Sequence, residues 1–190
     1  MSRAKKGLTI VVSGPPGSGK TTLARMLADR LGLRYVSIGQ LFRDIARERG
    51  VSVAELNRLA EQDPSIDLEL DRRAREEAAR GNVVIDGHIT AWIARDLADI
   101  CIGVIASLET RVARIAQREG RPLEEVRRET LVREEVERRR FKKLYGIDIN
   151  DLSVFDIIIS SEVFNPNEIL EIVMQALRII AQKRGIEIKA

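Results

Sequence analysis

Eight residues constrain this chain more tightly than the rest of it. Gly14-Pro15-Pro16-Gly17-Ser18-Gly19-Lys20-Thr21 fits G-x-x-x-x-G-K-[ST] at every fixed position. An apolar, β-branched run, Leu8 to Val12, precedes the motif. Thr21 to Leu31 follows it, with Leu23, Met26, Leu27 and Leu31 at helical spacing and Gly32 as a C-cap. Strand, glycine loop and helix in that order form a phosphate-binding element. Glycines let backbone N–H groups converge on phosphate oxygens with no Cβ in the way, and the helix N-terminus adds partial positive charge. Lys20 supplies a point charge for the β- and γ-phosphates, and Thr21 a hydroxyl for Mg²⁺. The nucleotide-contacting candidates therefore run from Gly14 through Thr22, with ATP and Mg²⁺ as the expected cofactors. The motif names a nucleotide and not a reaction. A guanine-reading N-K-x-D segment is absent, as is an ABC-type signature.

The rest of the chain reads as strands alternating with helices. Arg34 to Ile38, Asn82 to Ile85, Ile100 to Ala106 and Phe155 to Ile159 are further short runs read as strands, taken as fully apolar and covered on both faces. Helices are expected over Gly39 to Gly50, from a Ser52/Glu55 capping box to Asp63-Pro64, over Ile66 to Arg80, over Glu124 to Lys143 and over Pro166 to Arg184. This pattern predicts an α/β fold, a three-layer sandwich around a five-stranded parallel sheet. One domain spans 1–190, with a core of 1–38, 82–119 and 141–190 and a helical insertion over about 39–81.

Composition narrows the function class. Thirty-two basic and 29 acidic side chains leave a net charge of +3, which argues against a nucleic-acid binder. The lone cysteine, Cys101, lies in an apolar run and reads as a small buried hydrophobe, and the lone histidine, His88, cannot build a metal cluster. No apolar run reaches the ~18 residues of a membrane span, and Met1 to Gly7 lacks a signal-peptide core. The expectation is a cytoplasmic protein, a monomer, with small-molecule nucleotides as partners and no membrane attachment.

Bringing two phosphorylated molecules together requires cations, because transfer develops charge on the equatorial oxygens. Arg43 lies one turn into the helix after the second strand, and Arg114 and Arg118 are one turn apart after the fourth. Arg133, Glu137 and Arg140 share one helical face at i, i+4 and i+7, beside expected Glu134–Arg138 and Glu135–Arg139 pairs. Asp86 closes the third strand, where open α/β sheets carry ligands, and could serve a hydroxyl acceptor as a base. A monophosphate acceptor needs no base.

Along nearly its whole length the chain resembles the nucleoside monophosphate kinases, most closely the archaeal-type cytidylate kinases. Beyond Gly14–Thr21 the resemblance rests on Val36-Ser37-Ile38-Gly39-Gln40-Leu41-Phe42-Arg43, on Val84-Ile85-Asp86-Gly87 with Trp92, and on Arg114, Arg118 and Glu119. It also rests on Arg133-Glu134 with Glu137 and Arg140, and on Leu144-Tyr145-Gly146-Ile147-Asp148 with Asp151-Leu152-Ser153 and Phe155-Asp156. It implies transfer of a phosphoryl group from ATP to CMP, and to dCMP. Ser37, Gly39 and Arg43 match the acceptor site, with Arg43 on its phosphate, and Asp86, His88 and Glu137 fall on the same side. Arg114 matches the residue packing on the donor base, and Lys20, Arg118, Arg133 and Arg140 match the catalytic cations. Residues of about 39–81 would form the acceptor-binding insertion and 120–133 a short lid. Three positions depart from the family pattern: Gly87-His88 replaces Gly-Arg, Gln40 stands where an acid is common, and Ile89 stands where bacterial members carry a cytosine-reading Asp. Alternatives are an adenylate or shikimate-type kinase, or a nucleotide-switched assembly factor.

Overall fold

The computed structural model describes residues 7–188, so the signal-peptide reading of Met1 to Lys6 lies outside it. The elements are β1 (Thr9–Ser13), α1 (Lys20–Leu31), β2 (Arg34–Ser37), α2 (Ile38–Glu48), α3 (Val53–Gln62), α4 (Ser65–Arg80), β3 (Val83–Gly87), α5 (Thr90–Ile93), β4 (Ile100–Ile105), α6 (Leu108–Glu119), α7 (Leu123–Tyr145), β5 (Ile157–Ser160) and α8 (Pro166–Arg184). A 3₁₀ turn, Leu152–Val154, precedes β5. All strand pairings are parallel, in the order β2-β3-β1-β4-β5. After β1 the chain fills one side of the sheet with β2 and β3, then crosses to β4. A crevice therefore opens at the carboxyl end of β1, and the glycine loop sits there.

The three central strands are apolar and buried on both faces, as the sequence implies. The outer two are not. β2 reads Arg34-Tyr35-Val36-Ser37 and is half-exposed, and β5 is partly exposed, because edge strands are covered incompletely. β3 starts at Val83 because Asn82 takes a left-handed φ of 50°, which Asn tolerates. β5 starts two residues later than expected. Phe155 instead packs edge-to-face on Trp92 and against Gly103, where a Cβ would come within 3.2 Å of the Phe155 ring.

Helix ends follow their sequence signals closely. Ser52 Oγ accepts from the Glu55 N–H, but the Glu55 carboxylate turns to Arg58, so only half of that capping box forms. The complete box belongs to α8, where Asn165 and Glu168 cap each other and Pro166 occupies the first turn. On α7, Glu135 holds Arg138 and Arg139. Glu134 leaves its expected Arg138 partner for the buried Arg111 on α6.

The main core joins α1 and α8 to one face of the sheet through Leu23, Leu27, Ile102, Met174 and Leu177. A separate cluster of Ile45, Leu56, Ile66 and Leu70 ties α2, α3 and α4 into one block beside the cleft. Among the described residues, no helix is long and apolar enough to cross a membrane. Leu177 is fully buried in the main core, so Leu177→Ala should destabilise the fold by ~2–5 kcal/mol. Chemical denaturation checks this, with an unchanged m-value expected.

Candidate active site

The glycine loop is held from behind through its carbonyls. Pro15 O accepts from the Ser18 N–H and from Lys20 Nζ at 3.3 Å. Pro16 O accepts from Arg111 Nη1, Gly17 O from Arg114 Nη1, and Ser18 O from the Ser161 hydroxyl at 2.7 Å. Arg114 in turn donates to Ser161 Oγ at 2.7 Å and to Ser161 O at 2.6 Å. Four successive carbonyls are thereby engaged. No side chain caps α1 at Gly19, so the first N–H groups of α1 keep their donor capacity at the cavity. Gly17 is required here: its φ is +80°, and a Cβ would lie 2.7 Å from Arg111 O.

A cleft of about 840 Å³ opens beside the loop. Pro16, Gly17, Gly19, Lys20, Thr21 and Thr22 line it, as do Arg114 and Arg118 from α6 and Arg133, Glu137 and Arg140 from α7. Ser37, Gly39 and Arg43 face it from the β2–α2 junction, and Asp86 and His88 from the end of β3. Gly14, Pro15 and Ser18 lie behind this lining. A smaller recess of about 330 Å³ adjoins it between Thr22, Arg114, Ser161 and Phe164.

Asp86 is 2% exposed and fully engaged. Its Oδ2 accepts from Thr21 Oγ1 and its Oδ1 from the Tyr35 hydroxyl, each at 2.7 Å. Burial lowers Lys20 to about 8, with Asp86 opposing that shift. Ser37 Oγ caps α2 through the Gln40 N–H, and Gln40 Oε1 accepts from Arg43 at 2.8 and 3.1 Å. Gln40, which stands where an acid is common, thus holds Arg43 without neutralising it.

His88 and Arg133 meet at Glu137. His88 Nδ1 lies 2.9 Å from Glu137 Oε2, and Arg133 Nε donates to Oε1 at 2.7 Å. The His88 ring packs edge-to-face on Phe141. Burial alone would raise the Glu137 carboxyl, but the His88 hydrogen bond and the Arg133 charge outweigh it and hold it at about 2. Arg118 is exposed and, among the described residues, pairs with its neighbour Glu119. Arg140 points elsewhere: its Nε lies 3.1 Å from Asp67 Oδ2 on α4.

Several lining or supporting residues escape sequence reading. Arg111 is one turn before Arg114 and extends the Arg114/Arg118 stripe, so helical spacing could have found it. Ser161 follows the carboxyl end of β5, where the strand-end rule points. Tyr35, with Arg25 over its ring, and the pair Asp67 and Asp71 gave no local signal.

The fold is that of the P-loop kinases. A shikimate kinase from Bacteroides thetaiotaomicron superposes with a TM-score of 0.62, at 15% identity over 90% of this chain and 98% of that one. A gluconokinase from Sinorhizobium meliloti superposes at 0.61, with 16% identity over 94% and 96%. A family model described as an AAA domain matches residues 13–143. The cytidylate kinase of Staphylothermus marinus is 51% identical over 88% of this chain and 95% of its own. That of Aeropyrum pernix is 47% identical over 93% and 100%. The chain belongs to the cytidylate kinase family.

The Glu137 carboxyl is lowered from 4.5 to about 2 in the fold. Its ionised form therefore stabilises the native state above the unfolded value, and that contribution is lost as pH falls from about 4.5 towards 2. In acid titrations of unfolding free energy, Glu137→Gln should lack this component and show a shallower fall over that window. An unchanged profile would remove Glu137 as the electrostatic hub of the site.

Proposed function

We propose that the chain transfers the γ-phosphate of ATP to CMP, and to dCMP, in one in-line step. One observation carries this reading. Cationic side chains from four separate elements, Lys20 on α1, Arg43 on α2, Arg118 on α6 and Arg133 on α7, line a single cleft at the carboxyl ends of the strands. Such an arrangement suits a triphosphate and a monophosphate meeting end to end. The names of the relatives, cytidylate kinases at 47–51% identity, support the acceptor.

In this reading, Gly14 to Thr22 cradle the donor phosphates, with Lys20 between the β- and γ-groups. Arg114 packs on the donor base at the smaller recess. Thr21 Oγ1 and Asp86 Oδ2, 2.7 Å apart at the cleft, are the hard oxygen donors that Mg²⁺ accepts. They would hold Mg²⁺ with the nucleotide, and the ion would neutralise phosphate charge. On the acceptor side, Arg43 takes the monophosphate, with Ser37 and Gly39 at its edge, while His88, whose Nδ1 lies 2.9 Å from Glu137 Oε2, lines the same side and braces that carboxylate. A phosphate oxygen of CMP attacks the γ-phosphorus. The bond from that phosphorus to the β,γ-bridging oxygen breaks, and ADP leaves with the electron pair. Arg118 and Arg133 balance the charge on the equatorial oxygens, and Glu137 orients Arg133.

The acceptor oxygen is already anionic, so no base is needed. Asp86, the candidate base for a hydroxyl acceptor, has both oxygens engaged by Thr21 and Tyr35. The cytidylate kinase relatives disfavour the shikimate-type alternative. The insertion of about 39–81 would close over the acceptor, and 120–133 over the phosphates, excluding water from the transferred group. The partners would be free nucleotides and the protein a cytoplasmic monomer.

The test is ADP release from ATP·Mg²⁺ with CMP, dCMP, UMP, AMP or GMP, with Lys20→Ala as the blank. CMP and dCMP should be the best acceptors. Preference for AMP, or slow hydrolysis with no acceptor stimulation, would contradict the reading. Arg43→Ala should raise the KM for CMP at least tenfold while leaving ATP affinity within twofold.

A further inference from the structure

The acceptor end of the cleft contains a charged pair that the phosphate chemistry does not use. Its walls are apolar: Phe42 from α2, Leu70 and Ala74 from α4, Ile89 and Ile93 after β3. Such walls suit a flat base. Into this apolar setting α4 places Asp67, 5% exposed, and α7 places Arg140, whose side chain is 11% exposed. The two form an ion pair at 3.1 Å, but not in hydrogen-bonding alignment. Asp67 Oδ2 and Arg140 Nε and Nη1 are all buried, with no hydrogen-bond partner. Buried polar atoms normally find partners, and leaving them without one is costly. Both residues line the cleft. The neighbouring Asp71 carboxylate is engaged by the Tyr145 hydroxyl, which leaves Asp67 as the acidic group without a hydrogen bond here.

We infer that Asp67 and Arg140 read the edge of the acceptor base, with the Asp67 carboxylate accepting from the exocyclic amino group and Arg140 Nη1 donating to the adjacent ring nitrogen. This rests on the proposed monophosphate kinase activity and assigns its base selection. Cytosine presents an amino donor beside a ring-nitrogen acceptor, which complements a carboxylate beside a guanidinium N–H. Uracil presents the reverse order, so a carbonyl would meet the carboxylate and an N–H would meet the guanidinium. The pair therefore favours amino bases over keto bases, and the mismatched base leaves buried charges unpaired. Asp67, on α4, lies on a different element from Ile89, which follows β3. Burial raises the Asp67 carboxyl above its ordinary value, with the Arg140 charge offsetting only part of that rise and Glu137 adding to it.

The experiment compares kcat/KM for CMP and UMP in the wild type and in Asp67→Asn, with thermal melts to verify folding. Asparagine is isosteric but offers an amide that can donate to the uracil carbonyl. The expected result is a fall in the CMP:UMP ratio on the order of tenfold to a hundredfold, with the KM for ATP unchanged. A folded variant that keeps the wild-type ratio within twofold overturns the inference. A second arm needs no variant: the wild type is assayed with the pyrimidin-2-one ribonucleotide, CMP without its amino group. It should be a poor acceptor by a similar factor, whereas use equal to CMP overturns the assignment. This arm decides the matter if Asp67→Asn does not fold. Wild-type preference for AMP over CMP would instead defeat the cytidylate reading, an outcome separate from the amino-versus-keto ratio that Asp67 controls.

Discussion

The site depends on holding the carbonyls of the glycine loop. A loop that binds polyanions must present N–H groups forward and hide its oxygens, since an inward carbonyl would repel phosphate. Here Pro15, Pro16, Gly17 and Ser18 each have their carbonyl engaged, by Lys20 and the Ser18 N–H, by Arg111, by Arg114 and by Ser161. Three of those donors come from the segments after β4 and β5. The loop after β1 is thus shaped by chain that arrives about a hundred residues later, and the parallel sheet brings the three together. Arg111 is buried and also paired with Glu134 on α7. The helix that supplies Arg133 is thereby tied to the back of the loop.

The cleft also has to carry excess positive charge without collapsing onto its own acids. The polar groups around the cleft are engaged in different ways. Glu137 holds Arg133 and His88 together, Gln40 holds Arg43 with a neutral carbonyl, and Asp86 is satisfied by two hydroxyls and not by Lys20. Lys20 is consequently left with a lowered pKa of about 8, because burial withdraws solvent and, among the described residues, no carboxylate is in direct contact. Among the described residues, Lys20 and Arg43 are left without a carboxylate contact and so open to an anion, while Arg118, Arg133 and Arg140 are ion-paired. That is the electrostatic reason that a protein with a net charge of only +3 can present a locally cationic cavity.

Much of the fold was readable from short-range chemistry. The glycine loop, the α8 boundaries at Pro166 and Arg184, and the buried central strands follow from local residues. What failed did so for non-local reasons. Arg34-Tyr35-Val36-Ser37 is expected to be a buried strand and is half-exposed, because local sequence does not announce an edge position. Glu134 was given a helical partner, but α6 packing offers Arg111 instead. At the site, sequence spacing put Arg114, Arg118, Arg133, Glu137 and Arg140 on cleft-facing stripes, and all five line one cavity. It could not reveal that Arg140 turns towards α4, since Asp67 lies 73 positions earlier and the contact exists only once α4 and α7 come together in the fold. Asp67 itself reads as one acid among many on a charged helix.

In the proposed reaction one cleft holds an ATP and a cytidine nucleotide end to end, with the cations between them. Calorimetric titration with an adenosyl–cytidyl bisubstrate, two nucleosides joined through five phosphates, tests it most directly. The account predicts binding at one-to-one stoichiometry, tighter than ATP or CMP alone by at least a hundredfold, and competitive with both. Affinity no greater than that of ATP alone, or continued CMP binding to the saturated protein, would contradict it.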